Sequence, residues 1–232
     1  MKRLFFITLV LLGITAILVP KTVLAIPVTY NFSGTIARVG EQLGSSLPFA
    51  VNDSVNGQFT FESSTPDSTA DENIGTYENA VTDANFTFGS YSGSLATGES
   101  GDITLRNDWE WAGGDYVSDF YVARGIPASG ADVNGNELDT FNFQLRDDTL
   151  TMLSTDDLLT SEPSPYENNN GNTTFLILQF EPEEPGDFIT SYQVRATVDS
   201  VTSTVGSVPE PNTIALLGLG LAVISLVHFR KT

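Results

Sequence analysis

The stretch VTYNFSGTI, residues Val28–Ile36, decides the class of fold because apolar and polar side chains alternate along it. Alternation with a period of two places every second side chain on the same face of an extended strand. The stretch therefore predicts a β-strand with one apolar face. Similar runs follow and predict about eight or nine strands in all. They contain Val55, Phe59 and Phe61; Phe86 and Phe88; Ile103 and Leu105; Phe120 and Val122; Phe141, Phe143 and Leu145; Leu176, Leu178 and Phe180; and Tyr192, Val194, Ala196 and Val198.

Turn signals separate these runs, and no long segment repeats with the helical period. At most a turn or two of helix is expected, in Leu150–Leu159. Strands at this spacing without intervening helices favour an all-β fold, an antiparallel β-sandwich resembling a jelly roll, over residues 26–207. Segments 62–80, 123–139 and 160–172 are expected to be solvated loops. The turn signals are Asn56-Gly57, Gly113-Gly114, Asn134-Gly135 and Asn170-Gly171.

The composition of this body excludes several classes of site. Residues 26–207 contain five arginines but no lysine, histidine or cysteine, within a chain of formal net charge −19. They can therefore form no disulfide, no cysteine–zinc site and no serine–histidine–aspartate triad. The excess of acids argues against nucleic acid as a partner. Solubility is the simplest reason for that excess, with divalent cations or a high-salt medium as alternatives.

The amino terminus has the parts of a secretory signal peptide. Lys2 and Arg3 are positive, residues 4–19 are almost wholly apolar, and Val23-Leu24-Ala25 offers the modest side chains that signal peptidase reads. We expect cleavage after Ala25, so that residues 1–25 are the signal peptide. An uncleaved anchor is the alternative, and it is disfavoured because the apolar run is short for a spanning helix.

The carboxyl terminus carries a second apolar segment, residues 214–227. We expect a single transmembrane helix over residues 213–229, with Arg230 and Lys231 at the cytoplasmic face. The apolar part of this helix rises only about 21 Å, against a hydrocarbon core of about 30 Å, so it anchors the chain weakly. The preceding Pro209-Glu210-Pro211 is a stiff, non-helical strip that suits a processing enzyme.

This arrangement resembles the PEP-CTERM sorting signal of proteins that Gram-negative and cyanobacterial species export. Residues 208–232 match it through Val208-Pro209-Glu210-Pro211, the apolar helix and the basic tip Arg230-Lys231, with Phe229 as a minor departure. The resemblance implies recognition by exosortase, a membrane-embedded cysteine transpeptidase. It also implies a transient inner-membrane anchor, then a place at the cell surface or in an extracellular matrix associated with polysaccharide and biofilm.

The start of the body is also similar to that of many PEP-CTERM cargo proteins. The similar stretches are YNFSGTI (30–36), VNDSVNGQFTFESSTPD (51–67) and GTYENAV (75–81). This second resemblance supports a β-sandwich body and implies no particular activity.

One polar loop has the spacing of a calcium ligand set. Asp132, Asn134, Asn136 and Asp139 present oxygen-bearing side chains at nearly alternate positions, which lets them converge while the backbone turns. The loop is not an EF-hand, because Gly135 comes one place early and no glutamate closes it. A solvated hairpin, signalled by Asn134-Gly135, is the simpler alternative.

Both tryptophans lie in another short segment. Trp109 and Trp111 are two positions apart, so on a strand they share a face, with Tyr116 nearby. Such a pair predicts an aromatic platform for a sugar ring, and packing of the pair into or over the core is the alternative.

Paired carboxylates define the rival class of function, a secreted carbohydrate-active enzyme. No short motif marks a catalytic pair, and acid pairs such as Asp147-Asp148 and Asp156-Asp157 are predicted to be solvated turns. We therefore expect a non-catalytic structural or polysaccharide-associated protein without a catalytic residue, with calcium as the one cofactor considered.

Overall fold

In a computed structural model of the chain, the structure describes residues 25–110, 117–166, 174–181 and 192–206. These residues form strands and one 3-10 turn, Glu41–Leu43, so the all-β prediction is confirmed. The strands are β1 (Pro27–Val39), β2 (Ser54–Glu62), β3 (Ile74–Phe88), β4 (Tyr91–Leu95), β5 (Gly101–Glu110), β6 (Val117–Gly130), β7 (Leu138–Asp147), β8 (Phe175–Phe180), β9 (Gln193–Ala196) and β10 (Ser200–Val205).

The strand pairings are antiparallel and close into a ring. Each strand from β1 to β9 pairs with a strand next to it or next but one along the chain. Both β4 and β5 lie between β3 and β6, while β1 pairs with β2 on one edge and with β9 and β10 on the other. The result is a single sheet that curves around and returns to its first strand.

The predicted jelly-roll sandwich is therefore wrong in its arrangement. A sandwich packs two sheets face to face, and a jelly roll links them by Greek-key connections. Here one sheet is continuous, and strands that are neighbours in the chain are mostly neighbours in the sheet. On the predicted strands other than β6 the inward apolar residues are those that the alternation predicted, because both arrangements bury one face of every strand. On β6 the prediction is wrong: Tyr121 and Ala123 point into the core, whereas Phe120 and Val122 lie on the outer side.

Two of the predicted loops contain strand. The first half of β3 falls in 62–80, and the end of β6 falls in 123–139. In each case a bulge shifts the register, between Tyr77 and Val81 in β3 and between Ala123 and Ile126 in β6. A bulge inserts one residue and reverses the side of the sheet on which later side chains lie, so the period of two is broken there.

The interior of the sheet is filled by aromatic rings. Phe141 stacks on Phe86 and Phe32, with ring centres 4.7 and 5.5 Å away. Tyr30 makes edge contacts to Phe59 and Phe61 at 5.5 and 5.1 Å. Such contacts stabilise beyond the area that they bury. This core holds opposite sides of the closed sheet at a fixed distance.

Strand direction places the two ends of the body together. Val28, near the start of β1, pairs with Val205 at the end of β10. We call this end of the sheet the terminal end; segment 148–166 also lies there. The loops 40–53 and 131–137 lie at the opposite end, which we call the distal end.

Segment 148–166 covers the terminal end through tyrosine hydroxyls. The Tyr30 hydroxyl lies 2.8 Å from the Leu159 carbonyl and 2.9 Å from the Ser161 carbonyl, and Tyr77 donates to the Asp156 carbonyl at 2.7 Å. The expected helical turn in 150–159 is absent from this segment, which consists of turns and bends. Its first backbone N–H groups bind buried carboxylates instead, as described below.

Candidate functional surfaces

The sorting segment leaves the body at the terminal end. The Gly206 N–H donates to the Pro27 carbonyl at 2.9 Å, so the chain remains hydrogen-bonded to the start of β1 up to Gly206, two residues before Val208. Val208, Pro209, Glu210 and Pro211, the helix at 213–229 and the basic tip Arg230-Lys231 lie outside the described residues, as does the signal peptide up to residue 24. No helix in the described ranges has the length and apolar character to cross a bilayer.

Trp109 lies near the end of β5, half-buried on the outer side of the sheet. The Arg106 guanidinium lies 4.6 Å from the centre of its ring. The tryptophan is thus already engaged by a cation on one side. Trp111 and Tyr116 lie outside the described residues, so the three-residue platform stays a prediction.

The candidate calcium loop is a tight turn at the distal end. Asn134 and Gly135 have φ angles of 52° and 86°, and Val133 pairs with Asn136 across them. The Asn134 amide donates to the Leu43 carbonyl at 2.7 Å, and the Asn136 amide donates to the Val133 carbonyl at 2.9 Å. These two amides therefore brace the turn, as the hairpin alternative requires.

The two acids of this loop, Asp132 and Asp139, are exposed. Burial and the neighbouring Glu137 charge raise the pKa of Asp139 above its usual value. Within the described residues no group of three or more histidine, cysteine, aspartate or glutamate side chains is placed to hold a metal ion. Calcium binding through Asp132, Asn134, Asn136 and Asp139 stays a prediction.

Two buried acids form a site that sequence reasoning missed. Asp119 and Asp147 are cross-strand partners on β6 and β7, with exposed fractions of 0% and 1%. Asp119 accepts hydrogen bonds from the backbone N–H groups of Asp108 and Leu153, each at 3.0 Å. The prediction that Asp147-Asp148 is a solvated turn is wrong for Asp147. Alternation was a signal for this, because two consecutive residues of a strand lie on opposite faces, so one of the two acids would point inward.

Asp147 organises the turn that follows β7. Its carboxylate accepts from the N–H groups of Thr149, Thr151 and Met152 at 2.8, 2.8 and 2.9 Å, and from the Thr149 hydroxyl at 2.6 Å. Burial by itself raises the pKa of Asp147, but these hydrogen bonds outweigh it and hold the pKa below its usual value. The carboxylate therefore orders main chain.

One half of the outer surface carries two rows of uncharged polar side chains in register, and Asp83, opposite Thr60, lies on the same half. We call it the uncharged face; it lies on β10, β1, β2, β3 and β4. Its first row is Thr202, Asn31, Gln58, Asn85 and Ser94, and its second row is Ser200, Ser33, Asn56, Thr87 and Ser92, each side chain opposite the next.

The two rows differ in their internal hydrogen bonds. Ser33 and Ser200 hydroxyls lie 2.7 Å apart in the second row. In the first row, Thr202, Asn31, Gln58 and Asn85 make no side-chain hydrogen bond within the described part of the chain. The first row thus offers donors and acceptors to an external partner.

A shallow groove of about 400 Å³ adjoins the uncharged face along β10. It separates segment 162–166 from residues 198–202, and Thr202 belongs both to the groove and to the first row. Burial, followed by the charges of Glu162 and Asp199, raises the pKa of Tyr166 in its wall.

Comparison with known proteins identifies the C-terminal segment. No curated protein and no solved structure matches the chain. A family profile matches residues 207–231, and that family is the PEP-CTERM protein-sorting motif. The chain therefore carries a PEP-CTERM sorting motif, which implies export, exosortase as the processing partner, and a membrane-anchored C-terminus before processing.

Proposed function

We propose that this protein is a non-catalytic component of the cell surface or extracellular matrix that contacts polysaccharide. Signal peptidase removes residues 1–25, the C-terminal segment holds the chain briefly in the inner membrane, and exosortase then cuts near residues 208–211. The observation that carries this proposal is the match of residues 207–231 to the sorting motif.

The position of the motif supports release of a compact product. β10 ends at Val205, and only Gly206 and Ser207 separate it from Val208. The released product would consist of the closed sheet with almost no flexible stalk. Such a protein exposes the outer side of its sheet to its surroundings. The uncharged face there presents hydrogen-bonding groups that match the hydroxyl groups of polysaccharides.

The delivery part is tested in a host that has exosortase and in its exosortase-deletion strain. An epitope added after Thr232 is followed by immunoblotting of membrane, surface and medium fractions. We expect the epitope to be lost and the body to reach the surface only when exosortase is present. Pro209→Ala/Pro211→Ala should block the cut, and Thr204→Ala, exposed on β10 and outside the matched motif, is the control. Surface protein that retains the epitope in both strains would contradict the proposal.

The polysaccharide part is tested by co-sedimentation of the full-length chain, in detergent, with insoluble neutral polysaccharides. Asn31→Ala/Gln58→Ala/Asn85→Ala removes the centre of the first row and should weaken binding. Thr76→Ala/Glu78→Ala, elsewhere on the outer side of β3, is the control. Equal binding by both variants would remove the uncharged face from the proposal.

A further inference from the structure

Every arginine of the body lies on the half of the outer surface opposite the uncharged face. We call this half the arginine face; it comprises the outer sides of β5 to β9 and the adjoining end of β1. The residues that precede four of these arginines are fully buried, which places those four side chains outward, and Arg38 shares that side through its pairing with Arg195. Two acids also lie on this face: Asp102 is opposite Arg124, and Asp148 forms an ion pair with Arg146. The five residues are Arg38, Arg106, Arg124, Arg146 and Arg195.

Three of these arginines form a row across the strands. Arg38 on β1 is the register partner of Arg195 on β9, which is opposite Ile177 on β8 and then Asn142 on β7. Asn142 accepts from the Gly125 N–H at 2.8 Å, which brings Arg124 on β6 beside it. Four strand spacings make this row about 19 Å wide.

The guanidinium groups rest on aromatic rings. Arg195 lies 4.9 Å from the ring centre of Phe175, and Arg146 lies 5.8 Å from that of Phe120. Stacking fixes the plane of a guanidinium without using its N–H groups. The Arg146 Nε donates to Asp148 and Ser118, and the planar fork of a guanidinium matches the two oxygens of a carboxylate.

The row also places like charges on neighbouring strands. Arg38 and Arg195 are directly opposite each other, and such pairs repel. Burial, followed by the charge of Arg38, lowers the pKa of Arg195. An anion bound across Arg38 and Arg195 would reduce this repulsion.

We propose that the arginine face binds a carboxylate-bearing polysaccharide that runs across β6 to β9 and the end of β1. This inference rests on the proposed function, since it names the polymer class that the exported protein contacts. The outer side of a closed sheet is convex, so a linear polymer follows the row while a flat bilayer touches only part of it. A chain of net charge −19 repels nucleic acid more strongly than a polymer with one charge per sugar.

The test measures binding of the full-length chain, in detergent, to polygalacturonate, with dextran, double-stranded DNA and anionic phospholipid vesicles as comparison probes. Arg38→Gln/Arg124→Gln removes two exposed members of the row and lowers the net charge by two. Ser64→Asp/Thr82→Asp lowers the net charge equally, at two exposed positions outside both rows of the uncharged face and outside the arginine row. Circular dichroism and thermal melting check the fold of each variant, and Arg38→Lys/Arg124→Lys keeps the charge without the planar fork.

We expect polygalacturonate binding that weakens with salt, a loss of about tenfold or more in Arg38→Gln/Arg124→Gln, and a change of less than about threefold in the control. The lysine variant should fall between them. Equal losses in both charge-lowering variants would overturn the proposal, because net charge alone would then explain them. Tighter binding to DNA or vesicles, or arginine-dependent self-association without polysaccharide binding, would also overturn it. Binding to dextran that does not depend on the arginines would overturn this inference but would leave the proposed function intact. The delivery step of the proposed function is tested separately, by fractionation.

Discussion

The two halves of the outer surface are built from different chemistry on the same closed sheet. On the uncharged face, neighbouring strands are joined by neutral pairs such as Thr29–Thr60, whose hydroxyls lie 2.8 Å apart. On the arginine face, guanidinium groups stack on rings, and beneath its terminal end the buried Asp119 and Asp147 point to the inner side of the same strands. The acids that make the chain negative are mostly outside the two rows of the uncharged face and the arginine row.

This difference predicts where stability depends on solution conditions. Neutral hydrogen bonds do not titrate and respond weakly to salt, whereas buried carboxylates and opposed guanidinium groups respond to pH and ionic strength. Substitutions on the arginine half should therefore have effects that vary with pH or salt. Equivalent substitutions on the other half should have constant effects.

The largest effect is expected for Asp147→Asn. The new NH2 group would face either the Thr149 N–H or the N–H groups of Thr151 and Met152, so unfolding free energy at pH 7 should fall by about 3 kcal/mol or more. The folded-state pKa of Asp147 is lowered, so its contribution is present above the unfolded pKa of about 4 and is lost as the pH falls through the folded value. Urea unfolding between about pH 3 and pH 8 should show that the difference in unfolding free energy between Asp147→Asn and wild type becomes smaller in acid.

Asp148→Asn is the matched control for that substitution. Asp148 is adjacent in sequence and pairs with Arg146, but its side chain is 35% exposed. Its loss should be less than about 1 kcal/mol. A pH-independent deficit in Asp147→Asn would contradict the assignment of pH sensitivity to this half.

The next effect separates two tyrosines that face each other across the core. Tyr30 on β1 and Tyr121 on β6 have ring centres 5.5 Å apart. Within the residues that the structure describes, the Tyr30 hydroxyl has hydrogen-bond partners, whereas the Tyr121 hydroxyl is buried without one. Tyr30→Phe should lower the unfolding free energy by about 1–2 kcal/mol, whereas Tyr121→Phe should leave it unchanged or raise it by up to about 1 kcal/mol. Urea unfolding at pH 7 measures both, and equal losses would show that the two hydroxyls are equivalent.

Local alternation predicted the strand class and, on every predicted strand except β6, the inward residues; on β6 the apolar Phe120 and Val122 lie outward and Tyr121 and Ala123 inward. The even-numbered residues of 28–36 point inward as expected, because each strand buries one face whatever its partners. The closure of the sheet was not predictable, since a sandwich and a ring bury the same faces. Bulges at Asn79 and Gly125, both with positive φ, hid the extensions of β3 and β6.

The surfaces could not be predicted because they depend on register between distant segments. Arg38 and Arg195 are far apart in the chain, and only the pairing of β1 with β9 makes them neighbours. The same holds for the first row of the uncharged face, which draws one residue from each of five strands. Only the sorting motif was readable directly, because its residues are contiguous.

A smaller effect is expected on the uncharged face. Replacement of Thr29 and Thr60 by valine, singly and together, forms a double-mutant cycle for their hydrogen bond. The coupling free energy should be about 0.5 kcal/mol and should remain constant between about pH 4 and pH 8. A coupling free energy that changes with pH would contradict the expectation that hydrogen bonds on the uncharged face are independent of pH.

The smallest effect should have the opposite sign. Arg38→Gln removes the like charge directly opposite Arg195, so the unfolding free energy should rise by about 0.3 kcal/mol at low salt. Salt screens such repulsion, so the gain should vanish at about 1 M sodium chloride. Arg124→Gln is the control, because Arg124 is opposite Asp102 and donates to Gln144, and its removal should bring no gain. Thermal melting at two salt concentrations measures both variants. A loss of stability in Arg38→Gln at low salt would mean that other groups of the chain compensate the repulsion between Arg38 and Arg195. The arginine row would then carry no repulsion for an anion to relieve, and in this respect it would not differ from the uncharged row.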